Sequence, residues 1–91
     1  MLYDIKDYSY ARANQIGVVI RPSEKKHKKI DVYDKFGEYI CSIGAKTMSD
    51  FPSYIETHGL EYANERRKRF YQRFNNIKEG TPLWYSAIIL W

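Results

Sequence analysis

Residues 30–43 read I-D-V-Y-D-K-F-G-E-Y-I-C-S-I, two segments rich in β-branched and aromatic residues on either side of Asp34-Lys35-Phe36-Gly37. Such segments favour strands, and a glycine at the fourth turn position can take the left-handed conformation that closes a short hairpin with a bulge. Upstream, the run Gln15 to Arg21, Q-I-G-V-V-I-R, is again β-branched and stops at Pro22. Proline has no N–H to give to a ladder, so this run predicts a strand that ends there. Between the two lies a basic loop, Ser23 to Lys29. Three antiparallel strands follow.

Downstream of the hairpin the punctuation changes to that of helices. Gly44 closes the third strand, Ser49 or Asp50 is placed to cap a short helix with Pro52 in its first turn, and Gly59 ends it. Leu60 to Asn75 forms the main helix. Thr81 then caps a last helix opened by Pro82, whose L-W-Y-S-A-I-I-L-W is nearly all apolar and should carry Trp91 into the core. The expected architecture is α+β: a three-stranded antiparallel sheet followed by two or three helices packed on one face. Residues 1–14 hold Tyr3, Tyr8 and Tyr10 without a period of 2 or 3.6, and are expected to form an arm. That arm packs on its own domain or on a neighbouring subunit. Residues 15–91 form the single compact domain.

Composition sets what this domain can be. The chain has 91 residues, enough for one core and too few for two, and it is 44% hydrophobic with 16% aromatic residues, well above disordered chains. One cysteine, Cys41, makes no internal disulfide, and with His27 and His58 alone it makes no zinc site. A reducing compartment is expected. The opening M-L-Y-D-I-K-D-Y-S-Y lacks the apolar stretch of a secretory signal, and no apolar run is long enough for a bilayer span. Export by a signal peptide and membrane insertion are therefore not expected.

The net charge is +4, and nine of the fifteen basic residues fall in two short segments. One is Lys25, Lys26, Lys28 and Lys29. The other is Arg66, Arg67, Lys68, Arg69 and Arg73, interleaved with Phe70, Tyr71 and Phe74. Clustered charge of this kind points to an acidic partner, most often nucleic acid. On a helix, 100° spacing separates the second segment into faces. Leu60, Ala63, Phe70, Tyr71 and Phe74 share an apolar stripe and are read as core. Arg66, Arg69 and Arg73, with Tyr62, share a basic one. Arg67 falls within the apolar stripe, so it is expected to snorkel or to pair with Asp31, Asp34 or Asp50 as a structural charge.

Little else in the chain suggests chemistry. I-G-A-K-T at 43–47 has an alanine between glycine and lysine and fails the Walker pattern. His58 sits at a helix end where it satisfies terminal carbonyls, and His27 is one polar residue among lysines. The acids are scattered among the basic residues. No enzyme activity, cofactor or metal is expected.

Taken together, K-K-x-D-V-Y at Lys28, Lys29 and Asp31 to Tyr33, S-I-G-A-K-x-x-x-D-F at Ser42 to Lys46, Asp50 and Phe51, R-K-R-F-x-x-R at Arg67 to Phe70 and Arg73, G-T-P at Gly80 to Pro82 and I-L-W at Ile89 to Trp91 resemble a family. It is a family of small, uncharacterised basic proteins of large (nucleocytoplasmic) DNA viruses and some phages. The resemblance runs from about Val18 to Trp91 and departs from the pattern at Thr47 and Phe74. It implies a viral origin, no enzyme activity, and a place in the virion or in the host-cell cytoplasm or nucleus.

The expected function is binding of nucleic acid or another polyanion without sequence specificity. Lys25, Lys26, Lys28, Lys29, Tyr62, Arg66, Arg69 and Arg73 form the contact set, acting by counterion release. The alternative is a minor capsid or virion-assembly protein, in which the arginines meet acidic capsid surfaces and the tyrosine arm reaches a neighbour.

Overall fold

The computed structural model describes residues 2–91. In chain order the elements are α1 (Asp7–Gln15), β1 (Val19–Pro22), β2 (Lys28–Tyr33), β3 (Tyr39–Ala45), α2 (Phe51–His58), α3 (Leu60–Arg73) and α4 (Pro82–Leu90). The three strands make one antiparallel sheet in the order β1-β2-β3. The fold is α+β, with helices on both sides of the sheet in sequence.

Local chemistry builds the hairpin as expected. Asp34 Oδ1 accepts from Phe36 N at 2.8 Å and Glu38 N at 3.0 Å, Gly37 takes φ 86°, and the register is irregular between Val32 and Tyr33. Ile30, Val32 and Ile43 are buried from water on its inner side, and Ile20 of β1 joins them. Each such side chain stabilises the fold by roughly 1.5–3 kcal/mol. Ile5, Ala13, Ile89 and Leu90 complete the core from the two ends of the chain.

The N-terminal segment packs on its own domain, one of the two arrangements expected for it, and does so largely as a helix. Asp7 to Gln15 is helical, so the expected strand from Gln15 starts only at Val19, after a reversal at Gly17 with φ 73°. The buried face of α1 is Ser9 and Ala13, two small residues one helical turn apart. Small residues let α1 lie close to α4. They also leave no apolar period in the sequence to announce the helix.

That close approach satisfies α4. A helix leaves its last four carbonyls without internal partners, and here three of them receive side-chain donors: Ser9 Oγ donates to Ile89 O (2.8 Å), Arg12 Nε to Ile88 O (2.9 Å) and Tyr71 OH to Ala87 O (2.9 Å). The N-terminus of α4 is capped as expected by Thr81 Oγ1, which accepts from Trp84 N at 3.2 Å. The other tyrosines of the expected arm are also directed inward. Tyr3 reaches Asp50, Tyr8 packs on Phe51 at 5.3 Å, and only Tyr10 is broadly exposed.

Helices α2 and α3 form a tight pair hinged at Gly59, whose φ of 88° suits glycine. Asp50 caps α2 by accepting from Ser53 N at 3.0 Å. Ala63 is the one buried residue of α3, so the stripe expected to be core is a half-exposed flank: Leu60 is exposed, Tyr71 is exposed apart from its bonded hydroxyl, and Phe70 and Phe74 are half-buried.

Candidate functional site

Arg66, Arg69 and Arg73 recur at helical spacing along one flank of α3, and all three line a single cavity of about 250 Å³. Phe70 and Phe74 from the same helix form one wall, Trp91 closes the side of α4, and Gly44 and Ala45 form the rim where β3 ends. The residues expected to be a contact stripe therefore face a concave cleft.

Each arginine is held differently. Arg66 is half-buried with its guanidinium 5.4 Å from the Tyr54 ring, Arg73 is exposed and lies 5.1 Å from the Phe74 ring, and Arg69 is 3.7 Å from Glu65 one turn away. Guanidinium groups over ring faces keep their charge and their donors. Among the described residues, none of the ion pairs involves Arg66 or Arg73. The cleft is electropositive.

At its base the charge is treated in the opposite way. Lys29 Nζ donates to Asp50 Oδ2 at 2.7 Å with side-chain exposures of 4% and 1%, and Tyr3 OH donates to the same oxygen at 2.6 Å. Burial alone would raise the Asp50 pKa, but hydrogen bonds from Lys29, Tyr3 and Ser53 outweigh it and hold the carboxyl below its ordinary value. Burial and the Asp50 carboxylate together push the Tyr3 phenol upward. This pair is internal and neutral overall, so Lys29 is not a contact residue. That corrects its place in the expected set.

Gly44 makes the arrangement possible. Its φ is 76°, and a Cβ there would lie 2.8 Å from Leu90 Cδ1 and 3.0 Å from Lys29 Cδ. Only glycine lets the lysine stem and the end of α4 pass the strand this closely.

The remaining expected residues lie outside the cleft. Lys25 Nζ sits 4.5 Å from the Tyr39 ring and donates to the Tyr39 hydroxyl and, at 3.0 Å, to Ser42 Oγ, which donates to Asp31 Oδ1 at 2.6 Å. The hydrogen bond with Tyr39 raises the Lys25 pKa and lowers that of the phenol. Lys25 is thus tethered to the open side of the sheet. Lys26 and Lys28 are exposed, and Lys28 is paired in register with Ala45, which places it at the rim of the cleft. Tyr62 is exposed on α3 and stacks on His58 at 4.3 Å.

Arg67 does not find Asp31, Asp34 or Asp50. Its guanidinium lies 4.9 Å from the Phe51 ring, because Lys29 has already taken Asp50. It is half-buried and packs against a ring in place of a carboxylate.

Helical spacing predicts Phe70 and Phe74 in the core, and the apolar last helix predicts the same for Trp91; their place in the cleft is the main addition from the structure. Phe70 and Trp91 stack nearly parallel, 4.8 Å apart with 10° between planes, and Phe74 is 5.0 Å from Phe70. Their juxtaposition with the arginines needs the end of α4 to reach α3, which spacing along one helix does not reveal. No group of three metal-ligating side chains occurs among the described residues, and no helix is long and apolar enough to cross a membrane. No family model, curated protein or solved structure matches this chain.

Proposed function

We propose that the protein binds nucleic acid, or a polyanion of similar charge density, through the arginine cleft of α3 and without reading base sequence. The observation that carries this reading is the convergence of Arg66, Arg69 and Arg73 on one concavity in which Arg66 and Arg73 have no carboxylate partner. The paired oxygens of a backbone phosphate match the planar guanidinium fork, and successive phosphates along a strand can meet successive arginines. Lys26 and Lys28 add positive charge beyond the cleft and steer an anionic chain towards it.

In the viral setting that the sequence resemblance implies, a protein of this kind escorts or condenses a genome. For the alternative of a virion-assembly contact, the arginines remain and, of the three tyrosines near the N-terminus, Tyr10 is the exposed one.

Salt dependence tests the reading. If the three arginines each neutralise one phosphate, log K against log salt falls with a slope of about −2.7 on duplex DNA and about −2 on single strands. A steeper slope, towards about −4.5 on duplex, means that Lys26 and Lys28 join the contact. A flat dependence in fluorescence anisotropy sinks the proposal.

A further inference from the structure

The cleft joins charge to rings, and the rings narrow the class of ligand. We infer that it takes single-stranded nucleic acid, with a phosphate among Arg66, Arg69 and Arg73 and the adjoining base against Phe74 and the Phe70–Trp91 stack. This rests on the nucleic-acid reading above and deepens it.

Three observations lead there. The cavity of about 250 Å³ is smaller than the roughly 300–1,000 Å³ of sites that enclose a drug-sized ligand. It has room for a phosphate and part of one base of a flexible strand, and a stiff, paired helix cannot enter it. A duplex also keeps its bases stacked inside, where the rings of this cleft cannot reach them, whereas an unpaired base offers a π-face to any aromatic neighbour.

The second observation is the alternation of rings and guanidinium groups. Arg73 lies against Phe74, Arg66 against Tyr54, and the His58–Tyr62 stack continues the series at the other end of α3. From Tyr62 to Phe74 the helix rises about 18 Å. A strand laid along it meets charge and stacking surface in turn. The third is that Trp91 is only partly buried and lines the cleft, although Ile89 and Leu90 just before it are fully buried. An acidic peptide would use the arginines and leave this aromatic surface unused.

Trp91 provides the readout. The protein has one other tryptophan, Trp84, which does not line the cleft, so Trp84→Phe leaves a single reporter. This variant is titrated at fixed low salt with oligothymidylate of about ten residues, within the roughly 4–16 nucleotides typical of single-strand sites. Parallel titrations use a duplex of the same length, inorganic polyphosphate and poly-glutamate. The expected result is quenching of Trp91 by oligothymidylate, with affinity at least about fivefold above that for the duplex, and polyphosphate binding without the quench. Phe74→Leu, which keeps the bulk and removes the π-face, should weaken oligothymidylate at least about fivefold more than it weakens polyphosphate. Equal affinity for single strand and duplex, or equal effects of Phe74→Leu on oligothymidylate and polyphosphate, overturns the inference while leaving nucleic-acid binding in place. Binding of neither nucleic acid, or of poly-glutamate alone, overturns both.

Discussion

Lys29 and Arg73 line the same cleft, yet one is locked and the other is available. Lys29 is buried against Asp50, with Tyr3 closing the remaining lone pair, while Arg73 lies exposed over the edge of Phe74. The difference lies in where the counter-charge sits. A buried charge must be matched inside the protein, because leaving it alone costs several kcal/mol. An exposed guanidinium is already solvated and can exchange water and counterions for a phosphate. Within one cleft, the matched pair belongs to stability and the unmatched arginines to binding.

The largest effect should come from breaking the matched pair. Asp50→Ala strands Lys29, removes the α2 cap and frees Tyr3, for a loss of about 3–5 kcal/mol. Since small domains are stable by only about 5–15 kcal/mol, urea unfolding should show a large share of the stability gone. Removing both charges with Lys29→Met and Asp50→Asn should recover a large part of it, because no orphaned charge remains. A single Asp50→Ala variant with a near-normal midpoint would mean that the pair is not structural.

Acid attacks the same pair from another side. The Asp50 pKa is lowered in the folded protein, so the stability it contributes is fully present above the ordinary carboxylate value of 3.8. It is lost as pH falls through the folded value. Unfolding midpoints should therefore hold from neutral pH down to about 4 and fall below that, and Asp50→Asn should remove most of this acid dependence. A decline already complete at pH 5 would point to other groups.

Gly44→Ala ranks next. The substitution places a Cβ 2.8 Å from Leu90 Cδ1 and at a φ of 76°, so strain and overpacking act together. A loss of about 1–3 kcal/mol is expected, read as a drop in thermal or urea midpoint. Ser9→Ala is smaller in volume and similar in consequence. It leaves the Ile89 carbonyl without its donor in a fully buried position, which costs about 1–3 kcal/mol. Ser9→Ala with unchanged stability would show that α4 does not depend on α1 for its end.

These regions were unequally legible from sequence, and the reason is distance along the chain. The hairpin at 30–43, the Asp50 cap with Pro52 and the Thr81 cap with Pro82 are local devices, complete within four or five residues, and the structure has all three. Helix α1 was missed because its buried face is Ser9 and Ala13, which carry no apolar signal. The fate of Lys29 depends on Asp50, 21 residues away, so the lysine looked like its neighbours in a basic loop. Helical spacing did group Arg66, Arg69 and Arg73. What it put wrongly in the core was Leu60, Phe70, Tyr71 and Phe74, because α3 buries only Ala63 and leaves the Phe70 and Phe74 rings to the cleft.

The smallest effect on the fold, and the sharpest on binding, should come from the unmatched side. Arg73 is exposed, belongs to no ion pair among the described residues and lies over the Phe74 ring, so Arg73→Gln should change stability by no more than about 0.5 kcal/mol. On single-stranded DNA the same change should make the salt slope shallower by about 0.7, the share of one phosphate. Lys29→Gln should do the reverse, lowering stability because Asp50 loses its partner and leaving the slope of the folded protein unchanged. If both substitutions moved the slope alike, the division between matched and unmatched charge would fail, and the buried lysine would have to be counted as part of the anion site.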